Sequence, residues 1–254
     1  MTAGAELARL YDLDMVDHSA DVELILALAR AGRGPILELA CGSGRICLPL
    51  ARAGHDVVGV DRDPEMLARA RRSWAVDSDQ GRLELVDGDI TRLDLGRRFG
   101  LVILALNSLL MLPGREAQLA ALQVITRHLA PEGRALIDVV LPSAEDLSAY
   151  DGRLEVAWLR RDDEGQQMVA KMWSAQYQPA AAMASVTTLF DCWPLDGGPL
   201  RRISRSDEMH LLGAHELIAL AERAGLQPET VAGDHEMGAF GPDSSRIVLV
   251  AALL

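Results

Sequence analysis

Apolar positions fall into two textures along the 254-residue chain. From Gly34 to about Leu141, short apolar runs alternate with stretches whose apolar residues recur at helical spacing. Pro35–Leu39, His55–Val60, Leu83–Val86, Leu101–Leu106 and Ala135–Val140 read as strands covered on both faces. Between them, Arg45–Ala53 reads as a helix, and Asp63-Pro64 opens another, since Asp caps a helix and Pro suits its first position. Leu119, Leu122, Val124, Ile125 and Leu129 place a third helix over Gln118–Leu129. Strand and helix in alternation predict an α/β fold with a doubly wound, mostly parallel sheet.

After Leu141 the texture changes. Leu154–Arg160, Met168–Tyr177, Ser185–Cys192 and Leu200–Ser206 read as meander strands separated by Asp163-Glu164-Gly165, Gln178-Pro179 and Asp196-Gly197-Gly198-Pro199. Ala214–Ala224 is a helix stopped by Gly225, and Glu229–Val231 and Arg246–Ala252 are closing strands. The expectation is one α/β domain spanning 1–254. It has a helical cap over about 1–33, a core over about 34–141, an antiparallel β insertion over about 150–206, and a closing helix and strands over about 210–254.

Composition narrows the function classes. The chain is 49% hydrophobic and 24% charged, which suits a folded protein and not a disordered one. Lys+Arg number 25 against Asp+Glu 37, a net charge of -12, and no basic run is present, so a nucleic-acid groove is not expected. No apolar run is long enough to cross a bilayer, so no membrane partner is expected. The opening MTAGAELARLYDLD lacks the basic-then-apolar order of a signal peptide. Cys41, Cys47 and Cys192 make neither a disulfide framework nor a zinc set, and His210 and His215 have no third ligand nearby. A reduced, cytoplasmic, metal-free protein is therefore expected.

The first strand runs into Glu38-Leu39-Ala40-Cys41-Gly42-Ser43-Gly44-Arg45. Its glycines permit a sharp turn and close approach of a ligand to the main chain, at the sheet edge where such folds bind ligands. Asp61 closes the second strand, where a nucleoside-binding α/β protein places a carboxylate for the ribose hydroxyls. Asp89, beside Ile90, closes the third strand and suits an adenine amino group and ring face. A nicotinamide fingerprint wants its third small residue at 47, and Cys47 leaves that open. Glu38 decides more. A carboxylate at the end of a buried strand needs a donor, which an amino-acid ammonium supplies and a pyrophosphate does not. S-adenosylmethionine carries an ammonium, an adenosine and a sulfonium, and no phosphate.

The segments LELACGSGR, GVDRDPEML, VDGDI and FGLVILALNSLLML, in that order, resemble the class I S-adenosylmethionine-dependent methyltransferases over roughly Pro35–Val140. ELIALAERAGL and GDHEMGAFGPDSSRIVLVA resemble the small-molecule branch that includes sugar N-methyltransferases. The resemblance implies a seven-stranded, Rossmann-like sheet and methyl transfer to nitrogen or oxygen of a small-molecule acceptor, with S-adenosylhomocysteine as product. It also implies a homodimer. Carried over by position, Glu38, Ala40, Gly42 and Gly44 line the methionine end, and Cys41 and Ser43 of the same turn also belong to the cofactor-binding set. Asp61 holds the ribose, Arg62 and Met66 flank the adenosine, and Asp89 and Ile90 take the adenine. Leu106 and Asn107 sit beside the sulfonium, and Tyr11 covers the cofactor.

Displacement at a sulfonium needs chiefly an in-line geometry, so no catalytic triad is required; a general base serves only an acceptor that must lose a proton. His18, Asn107, Tyr177 and His235 are the substrate-side candidates, and His55 and His128 are discounted as helix-end residues. Six of the ten aromatics fall in the insertion, either as sheet packing or as walls of an acceptor site or a dimer face. Two other readings remain open at this point. One is a cofactor-binding regulator or scaffold without turnover, and the other is a NAD-dependent oxidoreductase.

Overall fold

The computed structural model describes residues 2–75 and 81–254. Two helices come first, α1 (Ala3–Met15) and α2 (Ala20–Ala31). Alternation then begins with β1 (Ile36–Leu39), α3 (Cys47–Arg52), β2 (Asp56–Asp61), α4 (Pro64–Ala75), β3 (Arg82–Asp87), β4 (Phe99–Leu104), α5 (Gly114–His128) and β5 (Leu129–Val140). A short helix α6 (Ala144–Ala149) leads to β6 (Glu155–Asp162), β7 (Gln167–Gln178), β8 (Met183–Pro194) and β9 (Arg201–His210). The chain closes with α7 (Ala214–Arg223), β10 (Leu226–Ala232) and β11 (Arg246–Leu253).

The main sheet has seven strands in the order β10-β11-β5-β4-β1-β2-β3, and the second has four in the order β6-β7-β8-β9. β1 pairs parallel with both β2 and β4, and β2–β3 and β4–β5 are also parallel. β11 runs antiparallel to β5 and to β10, while the insertion is antiparallel throughout. This is the mostly parallel, doubly wound, Rossmann-like architecture with an antiparallel insertion that the strand and helix alternation predicts. All four residues of β1 are buried, which explains its unbroken apolar reading apart from Glu38.

Several boundaries differ from those the sequence suggests. Glycine turns occupy 42–46, so α3 begins at Cys47 and not at Arg45. β4 ends at Leu104; Leu106 and Asn107 have left-handed backbones (φ 51 and φ 67) and belong to the turn that follows. β5 begins at Leu129, directly after α5, and includes Pro131. α6 lacks a long apolar face and depends on a capping box between Ser143 and Asp146. Asp63 caps α4 as expected, its Oδ1 accepting from the Glu65 N–H at 2.9 Å.

The largest core lies on one face of the main sheet, under α5 and α7, and a second lies on the other face under α2 and α3. A third, smaller core joins Leu7, Leu10 and Leu13 of α1 to Trp158, Val169, Phe190, Cys192 and Ile203 of the insertion. The insertion thus packs on α1, and α1 in turn packs on α4. Among the described residues no helix is long and apolar enough to cross a membrane. Phe99 starts β4 with no exposed surface. Phe99→Ala is expected to cost roughly 3–5 kcal/mol in urea unfolding, with far-UV circular dichroism retained.

Candidate functional site

Strands β1, β2, β3, β4 and β5 all deliver their carboxyl ends to one edge, with β1 central between β2 and β4. The chain leaves β1 through Ala40, whose φ is 58, and turns through Gly42 at φ 54 and Gly44 at φ 94. A Cβ on Gly42 would meet nothing within 4 Å, so the loop's upper side is open space. The Cys41 N–H donates to the Val60 carbonyl at 2.9 Å, and the Gly42 N–H to Asp61 Oδ2 at 2.8 Å. Cys41 itself faces down into the sheet, its Sγ 2.9 Å from where a Gly59 Cβ would lie. Its side chain therefore points away from the open side of the loop.

Glu38 sits beneath this loop, 4% exposed, with Oε2 buried and unpartnered. Burial pushes its carboxyl from 4.5 up to about 8, against the opposing pull of the Arg45 guanidinium and the Cys47 N–H. Arg45 is forked onto Asp21 of α2, at 2.8 Å through Nη1 and 2.5 Å through Nη2, yet its buried Nε has no acceptor. A buried carboxyl oxygen lacking a partner and a guanidinium N–H lacking an acceptor thus both lie at this loop, near enough for the Arg45 charge to act on Glu38. An α-amino acid end supplies the complement of both. Tyr11 of α1 lies near Arg45, and burial raises its hydroxyl above the usual 10.

Asp61 is half-buried, with Oδ1 accepting from the Asp63 N–H at 2.8 Å and Oδ2 from Gly42. A carboxylate has about four lone-pair positions, so both oxygens retain accepting capacity. Arg62 is exposed and Met66 half-buried just beyond it. Asp89 is engaged by its own turn. Oδ1 accepts from the Thr91 N–H (2.9 Å) and hydroxyl (2.7 Å), and Oδ2 pairs with Arg92 at 3.1 Å. The Thr91 bonds hold its carboxyl below the usual range. Ile90, 8% exposed, belongs to the main core.

The left-handed pair Leu106–Asn107 is fixed from β5. Asn107 Oδ1 accepts from the Val140 N–H at 2.7 Å, the Asn107 N–H donates to the Asp138 carbonyl at 3.2 Å, and the Leu106 N–H lies 3.3 Å from Asp138 Oδ2. Asp138 is 1% exposed and pairs with Arg246 of β11. Burial alone would raise its carboxyl, but the His235 hydrogen bond and the Arg246 charge outweigh it and hold it below the usual range. His235 Nε2 completes the group, 3.3 Å from Asp138 Oδ2. Left-handed non-glycine residues cost roughly 1–3 kcal/mol each and cluster at functional sites, as this turn does.

α1 is clasped over the glycine loop. Asp12 accepts from the Ser43 hydroxyl and from Arg69 Nε of α4, while Arg69 forks onto Glu164 of the insertion at 2.9 and 2.8 Å. Ser43 is thereby committed to holding α1. Trp158 donates to Asp14 at 2.8 Å, and Lys171 pairs with the same carboxylate. Trp158 and Phe190 thus bind α1 to the insertion, and Tyr150 and Trp173 make an edge-on pair at 6.0 Å. Most aromatics of the insertion are accounted for by this packing, not by an acceptor wall. Tyr177 packs against the main core with Tyr150 and Met209, and His18 is exposed between α1 and α2. His55 and His128 are helix-end residues as read, His128 being buried with both ring nitrogens hydrogen-bonded. Among the described residues no His, Cys, Asp and Glu group suits a metal ion.

Four residues of this edge escaped the sequence reading: Asp12, Arg45, Asp138 and Arg246. Asp138 carried a signal, a lone carboxylate inside the apolar run Ala135–Val140. Arg45 carried a weaker one, following directly on Gly44.

Residues 36–133 match the family described as a methyltransferase domain. The chain is 33% identical over 130 residues to the cypemycin N-terminal methyltransferase of a Streptomyces species, 50% of each chain being covered. It is 30% identical over 140 residues to the dTDP-3-amino-3,6-dideoxy-alpha-D-glucopyranose N,N-dimethyltransferase of Streptomyces fradiae, 52% of each. These matches span about half the length of the curated relatives. The CcbJ methyltransferase of Streptomyces caelestis superposes with a TM-score of 0.79 at 24% identity, covering 93% of this chain and 95% of that one, a likeness of fold. Residues 36–133 are therefore similar in sequence to a methyltransferase domain, and the fold is shared with a methyltransferase of known structure.

Glu38 gives this site a stability signature. The unfolded chain loses this proton near 4.5 and the folded chain near 8, so the carboxyl lowers stability progressively as pH rises across that window. Glu38→Gln is expected to raise the melting temperature of the ligand-free protein above about pH 8 and to leave it unchanged near pH 4. Thermal melts of both proteins across that range check this.

Proposed function

We propose that this chain transfers a methyl group from S-adenosylmethionine to a nitrogen or oxygen of a small-molecule acceptor. The observation that carries this reading is the complementary pair at the loop after β1, the unpartnered Glu38 Oε2 and the unpartnered Arg45 Nε. In this reading Glu38 binds the ammonium of the methionine end and Arg45 its carboxylate. The open backbone at Gly42 and Gly44 admits the cofactor, Asp61 takes the ribose, and Tyr11 covers the methionine end. Arg62, Met66, Asp89 and Ile90 flank the adenosine, and Asp89 receives the adenine amino group on lone pairs that Thr91 leaves free. Ala40, Leu106 and Asn107 lie where the reactive end is presented.

When bound, the cofactor supplies an electrophilic methyl group on a good leaving group. The protein's part is to align the acceptor with that methyl and to exclude water, which is an orientation effect. Both curated relatives described above act on amines by their names, a peptide N-terminus in one and an amino sugar in the other, which favours nitrogen. A net charge of -12 disfavours nucleic acid, and a homodimer and a single functional unit over 1–254 remain part of the proposal. Three unbridged, buried cysteines suit a reducing, cytoplasmic setting.

A nicotinamide cofactor is disfavoured because its pyrophosphate brings no ammonium to the buried Glu38. Isothermal calorimetry separates the readings, with S-adenosylhomocysteine expected to bind and NAD not; the reverse result removes the methyltransferase reading. Turnover of labelled S-adenosylmethionine with amine acceptors distinguishes an enzyme from a cofactor-binding regulator. An ammonium beside Glu38 must also displace its proton at neutral pH. Binding of S-adenosylhomocysteine near pH 7 is therefore expected to release up to about one proton. This reads as an apparent enthalpy that differs between phosphate and Tris, and the difference is expected to vanish in Glu38→Gln.

A further inference from the structure

Asp138 is a carboxylate within the apolar strand β5, and every part of it is in use. One oxygen pairs with Arg246, and the other lies 3.3 Å from both the Leu106 N–H and His235 Nε2. Paired with a guanidinium and held below the usual carboxyl range, it is ionised and can only accept hydrogen bonds. His235 must then present Nε2 as the protonated nitrogen, which leaves a free lone pair on Nδ1. A carboxylate that sets the tautomer of a histidine in this way is the arrangement that readies an imidazole to take a proton.

The loop carrying His235 is rigid. The Gly233 N–H donates to the Gly238 carbonyl at 2.9 Å, the Gly238 N–H to Asp234 Oδ1 at 2.8 Å, and the Leu141 N–H to the Ser245 carbonyl at 2.8 Å. Met237 between them is left-handed, at φ 63, and packs on the second core. His235 lines a cavity of about 130 Å³ with Ala20, Asp234, Glu236 and Arg246. The charged groups around the ring are Asp138 from β5, Arg246 from β11, and Asp234 and Glu236 from its own loop, while α2 contributes only Ala20. Three carboxylates against one guanidinium favour a cationic guest.

We propose that His235, oriented by Asp138, is the general base of this site, and that the acidic cavity beside it selects an acceptor amine that arrives protonated. The inference rests on the methyltransferase reading and adds the acceptor class and the proton's destination. One N–H bond of the acceptor ammonium breaks, its proton passes to Nδ1, and its electron pair stays on nitrogen. That lone pair forms the new bond to the methyl carbon while the carbon–sulfur pair returns to sulfur, and the imidazolium later gives its proton to water. Arg246 is a positioning residue, neutralising Asp138 so that its charge is not lost to the imidazole.

Sinefungin tests this without an acceptor. In that cofactor analogue an amine-bearing carbon replaces the sulfonium, so an ammonium stands where the methyl would be. The readout is the ratio of sinefungin to S-adenosylhomocysteine affinity, measured by calorimetry on the full chain. The Nδ1 lone pair of His235 accepts from that ammonium, which favours sinefungin over S-adenosylhomocysteine. In His235→Gln, which keeps a donor for Asp138, the ratio is expected to fall about tenfold. S-adenosylhomocysteine affinity is expected to stay unchanged. An unaltered ratio, or equal losses for both ligands, would overturn the assignment of His235 as a base. Failure of both ligands to bind the unmodified protein would instead overturn the cofactor reading, and this inference with it.

Discussion

Parallel pairing of β1 with β2 on one side and β4 on the other is the constraint on which the rest of the molecule depends. Chains leaving adjacent parallel strands in opposite directions cannot both cover the space above the strand ends, so a crevice opens there. Each strand reaching that edge must turn sharply, and the turns are where the unusual backbones lie: Ala40, Gly42 and Gly44 after β1, and Leu106 and Asn107 after β4. Carboxylates at the same edge hold these turns. Asp61 braces Gly42, and Asp138 braces Leu106.

Burial then separates the carboxylates of the edge by role. Asp138 has a guanidinium, an imidazole and an amide around it and stays ionised in the interior. Glu38 has no donor on its outer oxygen, and its carboxyl is pushed up to about 8. A buried carboxylate with its partners present braces structure; one lacking a partner marks the place of a missing cation. Asp61, less buried, bridges two loops and keeps lone pairs free. The three acids thus form a graded series along one sheet edge.

The insertion and the N-terminal helix act as one attachment. α1 offers Leu7, Leu10 and Leu13 to the insertion, and on its other side Asp12 is bound by Ser43 of the glycine loop and Arg69 of α4. Arg69 also reaches Glu164, so loop, helix and insertion are tied through one guanidinium. The curated relatives are matched over about half their length, and the family match ends at residue 133, within β5.

Much of the fold was legible in the chain because burial on both faces leaves a simple trace. β1, β2, β4 and the inner half of β5 read as apolar runs, and Asp63-Pro64 marked the start of α4 without ambiguity. The glycine-and-acid edge was legible for the same reason, since glycines and acids at strand ends interrupt otherwise uniform apolar segments. The pairing of Asp138 with His235 and Arg246 was not, because its members lie on β5, the loop before β11, and β11 itself. Nor was the clasp of Asp12 on Ser43 and Arg69, or the packing of Trp158 and Phe190 on α1. By itself, the order of amino acids determined the local elements, the sheet class and the glycine-and-acid edge, all of which follow from periodicity and short-range chemistry. Which side chains meet across that edge, and which buried atoms are left without partners, was decided only in three dimensions. Distant segments become neighbours there, and a charge acquires its cost or its partner only once water has been excluded around it.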